Sequence, residues 1–278
     1  MNWRPVYLIA CKDWIELRQN KYAWIPMLII PVIFIVLLPI IFTVILPALQ
    51  VSPEEVLSSD TDIQFFVDRM PASMRSYIDF GKPMESMIVI MLGFLFAPMF
   101  LIMPLMYSAT IAAESFAGER ERKTIEALLY TPASDAELMA GKVAASAVPA
   151  VGITWIGFAV YTIILNVLPF QFFGRIWFPL PIWWPLIFWI SPALIFLGIA
   201  VTVLISARVP NFLGAYQMSA SLVLLVVLLF AGQITGVLYL SVGLGLLIGA
   251  VFWIIAAAVG YFAVKTFNRR ALLSGNES

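Results

Sequence analysis

Of the chain's 278 residues, 62% are hydrophobic and 12% charged, with 16 basic and 16 acidic side chains. That is about half the charged share of a soluble domain, so lipid is the solvent that fits, and zero net charge gives no reason to expect a nucleic-acid partner. Cys11 is the only cysteine and histidine is absent, which excludes an intrachain disulfide, thiol metal clusters and histidine acid–base chemistry.

Residues 1–21 are polar and mixed in charge, and the apolar run after them is too long for a signal-peptide core. The first span is therefore expected to remain as an anchor. Within 1–21, Trp3, Val6, Tyr7, Ala10, Trp14 and Leu17 recur at steps of three and four, with Arg4, Lys12, Asp13, Glu16 and Gln19 mostly elsewhere on the wheel. The pattern predicts an amphipathic helix on the inner membrane surface, a simple polar leader being the alternative.

A helix needs roughly 20 apolar residues to cross the hydrocarbon core. The first uncharged run is 22–49, where Pro26, Pro31, Pro39 and Pro47 predict kinks. Residues 51–85 form an acidic outer loop. There Ile63, Phe66, Val67 and Met70 share one helical face, and Met74, Tyr77 and Ile78 another after Pro71. Two short helices resting on the membrane or capping the outer mouth fit that pattern, as a structural lid or as a gate for cargo.

Spans follow at 86–113, 143–168 and 182–207, and the uncharged stretch beyond Val209 divides near Ala231–Gly236 into spans 212–230 and 237–264. Trp177, Trp183, Trp184 and Trp189 gather at the outer start of the fourth span, as interface anchors do. Gly245 and Gly249, continued by Ala256 and Gly260, allow close helix approach, within the chain or between two copies. With the N-terminus inside, only Arg69, Arg75, Lys82 and Arg175 of the 16 basic residues lie outside, so both ends are expected in the cytoplasm. The fold class expected is an all-α membrane protein, a single domain over 1–278 with six transmembrane helices and an N-terminal amphipathic elbow helix.

The segment 114–142 is more than a connector. A charge cluster is followed by Ile125, Leu128 and Leu129 at helical spacing and a stop at Thr131-Pro132. Ser134 with Glu137 three residues on makes a capping box that starts the next helix. A short amphipathic helix just inside the membrane is predicted, a solvated charged turn being the bland alternative.

The run Ser115-Phe116-Ala117-Gly118-Glu119-Arg120-Glu121-Arg122-Lys123-Thr124-Ile125-Glu126, continued by Leu128-Leu129, Thr131-Pro132 and Gly141-Lys142, closely resembles the signature of type-2 ATP-binding-cassette (ABC) exporter permeases, particularly their sodium-efflux-permease-like branch. Lys123 stands where the family has Gly, and Ala127 where it has Pro or Leu. Lys12-Asp13 to Glu16-Leu17-Arg18 is similar to the family's elbow helix, and Ile205–Val209 with Asn211-Phe212 to its turn between spans four and five.

The resemblance implies a dimer of permeases, the second a copy or a paralogue, around a translocation path in the cell membrane. Each would dock a cytoplasmic ABC ATPase that holds ATP and Mg, so this chain would carry no cofactor, metal or catalytic residue of its own. It implies a cytoplasmic coupling helix between helices 2 and 3, with Glu119, Glu121, Arg122, Thr124, Ile125, Glu126, Leu128, Leu129, Thr131 and Pro132 touching the ATPase. Trp3, Trp14, Glu16 and Arg18 would belong to the elbow. Gly118 to Lys123-Thr124 is only an echo of a phosphate-binding loop, because Arg122 replaces the glycine before the lysine.

Two other classes compete. An intramembrane enzyme needs ionisable groups at membrane depth, and the six runs contain no Asp, Glu, Lys, Arg or His. An ion-coupled transporter or channel usually needs carboxylates or broken helices near the midplane, and the prolines permit the latter. A path without fixed charge suits apolar or amphipathic cargo.

Overall fold

The computed structural model describes residues 3–19, 21–53, 66–79, 81–122, 124, 133–209 and 211–266, without the side chains of 18, 21–24, 26 and 266. All regular elements among them are helical. Helix α1 (Trp3–Gln19) precedes six helices long and apolar enough to cross a membrane: α2 (Met27–Ala48), α3 (Pro83–Glu121), α4 (Asp135–Val167), α5 (Trp183–Ser206), α6 (Phe212–Ile234) and α7 (Val242–Lys265). The chain is an all-α, six-span membrane protein.

Helix α3 is the axis of the bundle. Its most apolar stretch is 89% buried, against 17% in α2 and α6. Packed around it are α2, α4, α5 and α6, while α7 lies against α5. The outer helices turn large apolar side chains such as Ile29, Leu224 and Leu247 outward, which only a lipid solvent tolerates over so wide an area.

Proline shapes the centre of α3. It is π-helical over Val89–Leu95, turns at Phe96-Ala97, and resumes as a 3-10 turn at Pro98–Leu101. Pro98 has no N–H to offer a preceding carbonyl, and three consecutive carbonyls before it, those of Leu92, Gly93 and Phe94, each accept a side chain from a different helix, Phe94 O in addition to the Ala97 N–H at 3.1 Å. Tyr161 donates to Leu92 O at 3.1 Å, Trp183 Nε1 to Gly93 O at 2.9 Å and Gln233 Nε2 to Phe94 O at 2.6 Å. This satisfies the rule that backbone polar groups inside a membrane must be paired within the protein. In α2, the expected kinks take the form of π-helical windings at Val32–Leu37 and Ile41–Ile45, set between the prolines.

Two expectations need revision, and one left open is narrowed. Trp183 is no interface anchor: it is 1% exposed and stacks on Phe158 with centroids 5.8 Å apart, because the Gly93 carbonyl draws its N–H inward. Of the two contacts left open for the glycine step of α7, the one within the chain is present: a Cβ on Gly249 would lie 2.2 Å from Trp189 and one on Gly245 3.2 Å from Pro185, both on α5. The uncharged runs 86–113 and 143–168 lie inside longer helices, so Glu85, Glu114, Glu119 and Lys142 are helical and buried.

The break between the last two spans comes a few residues later than the expected Ala231–Gly236, since α6 runs on to Ile234 and α7 begins at Val242. Gly236 has φ +67, a left-handed conformation that side chains disfavour, and a Cβ there would meet Tyr239 Oη at 2.9 Å. In the segment before α3, Phe66, Met70, Met74 and Ile78 are buried, and Tyr239 Oη donates to Phe66 O at 2.9 Å. Ile63 lies outside the described residues.

Candidate functional site

Helix α1 packs along the start of α4 with one side only. Val6, Ile9, Asp13 and Leu17, at steps of three and four, are buried, whereas Trp3, Tyr7, Leu8 and Ile15 are exposed. Gly141 makes the close approach possible: a Cβ there would sit 2.9 Å from Ile9 Cβ and 3.1 Å from Val6 O. The expected capping box of α4 is present, with Glu137 N–H donating to Ser134 Oγ at 3.3 Å and Ser134 N–H to Glu137 Oε2 at 3.0 Å.

A carboxylate on the buried face of an amphipathic helix requires partners, and Asp13 has several. Lys12 Nζ lies 3.4 Å from Asp13 Oδ1 and Lys142 Nζ 3.5 Å from Asp13 Oδ2, to which Ser115 Oγ also donates. Glu119 mirrors it from α3: Oε1 accepts from Lys12 and Oε2 from Lys142 at 2.5 Å. Lys12, Glu119, Lys142 and Asp13 thus form a closed ring of alternating charge joining α1, α3 and α4.

Lys142 is the best-held member. Its ammonium has three N–H donors, and besides the two carboxylates it reaches Ser115 O at 2.5 Å and stands over the Phe116 ring at 5.3 Å. At Lys12, burial acts to lower the pKa, but the Glu119 hydrogen bond and charge, helped by Asp13 and Glu16, outweigh it and raise the value above its ordinary 10.5.

A second link widens the ring. Arg122 Nη1 donates to Glu114 Oε1 at 2.6 Å and Nη2 lies 3.6 Å from Glu16 Oε2, while Lys12 meets Glu16 at 3.2 Å. Glu114 and Gly118 bound a π-helical turn, and a Cβ on Gly118 would press on the Glu114 carboxylate at 3.1 Å. Asp13, Glu16 and Glu119 bring carboxylate oxygens within 4.8 Å of one another, but the lysine ammoniums already stand among them. The chain's own cations fill the place a metal ion would take.

The last turn of α3 also grips the α5–α6 turn. Arg120 Nη1 donates to Ser206 O at 2.9 Å and Ala207 O at 3.1 Å, at the C-terminus of α5. Glu121 Oε2 accepts the Phe212 N–H at 2.9 Å, at the N-terminus of α6, where Asn211 Oδ1 also caps Gly214 N at 2.7 Å. Cation at a C-terminus and anion at an N-terminus are the favourable signs.

The structure thus separates the residues expected to face an ATPase. Glu121, Arg122 and Thr124 are exposed at the tip of α3, and Thr124 turns back to donate to Glu119 O. Glu119 faces inward, fully buried, with both oxygens engaged. Ile125, Glu126, Leu128, Leu129, Thr131 and Pro132 lie outside the described residues, as does the Arg18 side chain. In the elbow, Trp3 is exposed, Trp14 half-buried, and Glu16 belongs to the ion-pair network.

Asp13, Ser115 and Lys142 had no role assigned from sequence. Asp13 left a readable signal, an acid in register with Val6, Ile9 and Leu17; Lys142 left only its place after Gly141.

Comparison with curated proteins finds no match. A family model described as "ABC-2 family transporter protein" matches residues 7–252, from the first turns of α1 into α7. The match covers the ion-pair ring, the α5–α6 turn and all but part of the last span, and the chain belongs to this family of ABC-2 transporter membrane proteins.

Proposed function

We propose that the chain is the permease subunit of an ATP-driven exporter in the cell membrane, paired with a second permease around a translocation path and driven by a separate cytoplasmic ATPase. In this reading α1 and the α3 tip lie in the cytoplasm, ATP and Mg are held and hydrolysed by the partner, and 125–132 is the coupling helix. The sodium-efflux-permease-like branch is the proposed placement within the family. Sodium does not follow as cargo, because the spans' central stretches carry no fixed charge and suit an apolar or amphipathic substrate.

One observation carries this reading. The tip of α3, just before 125–132, is tied to α1 and α4 through Glu119 and to α5 and α6 through Arg120 and Glu121. A displacement delivered there reaches five helices at once. Coupling needs an ATPase whose nucleotide state prefers one arrangement of those helices. The test is Leu128→Asp in the complex with its ATPase: hydrolysis continues and transport is lost while the spans still insert. Transport at the wild-type rate in that variant, or by the purified chain without an ATPase, sinks the proposal.

A further inference from the structure

At the end of the bundle opposite α1 is a cavity of about 230 Å³, between the start of α3, the outer-loop turn before it and the α4–α5 connection. Its walls include Tyr77, Asp79, Glu85, Phe173, Arg175 and Trp177. The α4–α5 wall is fixed. Asn166 Oδ1 accepts from the Trp177 N–H at 3.0 Å and the Phe178 N–H at 3.2 Å, and Trp177 Nε1 donates to Leu165 O at 2.6 Å. Phe173 stacks on Trp177 with centroids 4.8 Å apart. On the opposite side, Ser86 Oγ donates to Asp79 O at 2.7 Å and Asp79 Oδ1 accepts the Gly81 N–H at 3.0 Å.

The charges in this cavity do not cancel locally. Glu85 is buried and matched by Lys82 at 2.6 Å. Asp79 and Arg175 are exposed on different walls, and among the described residues neither forms an ion pair. Two opposite charges held apart on fixed walls leave room for a ligand bearing both signs. Pockets for drug-sized ligands run to about 300–1,000 Å³, so this one takes a small polar group rather than a whole amphiphile. Tyr77, which lines the cavity from the same segment as Asp79, favours an ammonium there, and a guanidinium favours phosphate. Ile176, lining the cavity yet 80% exposed, offers apolar surface at the rim.

We propose that this pocket binds the zwitterionic headgroup of an ethanolamine phospholipid, its ammonium at Asp79 beside Tyr77 and its phosphate at Arg175, with the acyl chains leaving past Ile176. This site does not depend on an ATPase partner, so it stands or falls separately from the exporter reading.

The test titrates the purified full chain in detergent with short-chain phosphatidylethanolamine, short-chain phosphatidylglycerol and free phosphoethanolamine. The ethanolamine lipid is expected to bind about tenfold more tightly than the glycerol lipid, and more tightly than the free headgroup. Arg175→Gln and Asp79→Asn are each expected to weaken it by about tenfold, the scale of one charge-assisted hydrogen bond. Both side chains are exposed, and an unchanged Tm checks that the variants fold. Equal affinity for the two lipids, or wild-type affinity in either variant, overturns the site. Free phosphoethanolamine binding as tightly as the lipid overturns the assignment to a membrane lipid.

Discussion

Lys142 of α4 holds its ammonium 2.5 Å from Glu119 of α3, with the two side chains 1% and 0% exposed. Removing one partner of such a pair leaves a buried charge unmatched, which costs roughly 3–5 kcal/mol, whereas replacing both by apolar groups is far milder. Lys142→Met is therefore expected to lower the Tm in detergent sharply, and Lys142→Met with Glu119→Met to recover much of the loss, since Lys12 and Asp13 still match. A single variant that melts like wild type would show that the ring contributes no stability.

Two glycines of α4 test the seat of the elbow with the same substitution. At Gly141 a Cβ meets Ile9 Cβ and the Val6 carbonyl, neither of which is the end of a flexible side chain. Gly141→Ala is expected to destabilise by about 1–3 kcal/mol through overpacking. At Gly152 a Cβ meets nothing within 4 Å, so Gly152→Ala is expected to stabilise by about 0.5–1 kcal/mol from helix propensity. Equal shifts in Tm for the two variants would refute the close α1–α4 contact.

How much of this was legible in the sequence depended on whether a signal was local. Six apolar spans and the Ser134–Glu137 box are local signals, and the structure has six such helices and the box, although several helix ends differ from the uncharged runs. The ends of α3 and α4 were missed because the charged residues there read as solvated, while the partners that Glu119 and Lys142 find lie 23 to 129 positions away in the chain. Helix propensity does not distinguish a Glu facing water from one facing two lysines. Trp183 was misread for a similar reason: its N–H partner, the Gly93 carbonyl beside the winding change before Pro98, lies on another helix.

Lys12 gives the ring a pH signature. Its pKa is raised in the folded state, so its contribution is fully present below the unfolded value of about 10.5 and is lost as pH rises through the folded value. The Tm contribution of Lys12 should be flat through neutral pH and fall only in strong alkali. Lys12→Arg, which keeps its charge, should shift the onset of that fall upward. An onset that does not move would assign the alkaline loss to other groups.

The grip of α3 on the α5–α6 turn separates motion from stability. Arg120 and Glu121 are only partly shielded, and each bond to a helix end is worth about 0.3–1 kcal/mol. Arg120→Ala combined with Glu121→Ala should therefore cost little in Tm. On the exporter reading proposed above, if displacement of the α3 tip drives α5 and α6 through these two contacts, the variant should still co-purify with the proposed ATPase and hydrolyse ATP, yet move less cargo per ATP. Arg120→Lys with Glu121 intact keeps a cation at the α5 C-terminus and should retain most of the transport. Loss of ATPase binding in the double variant would instead place Glu121 at the subunit interface. An unchanged ratio of cargo to ATP would mean that α5 and α6 receive their motion by another route, most directly through the packing of α3 along their length.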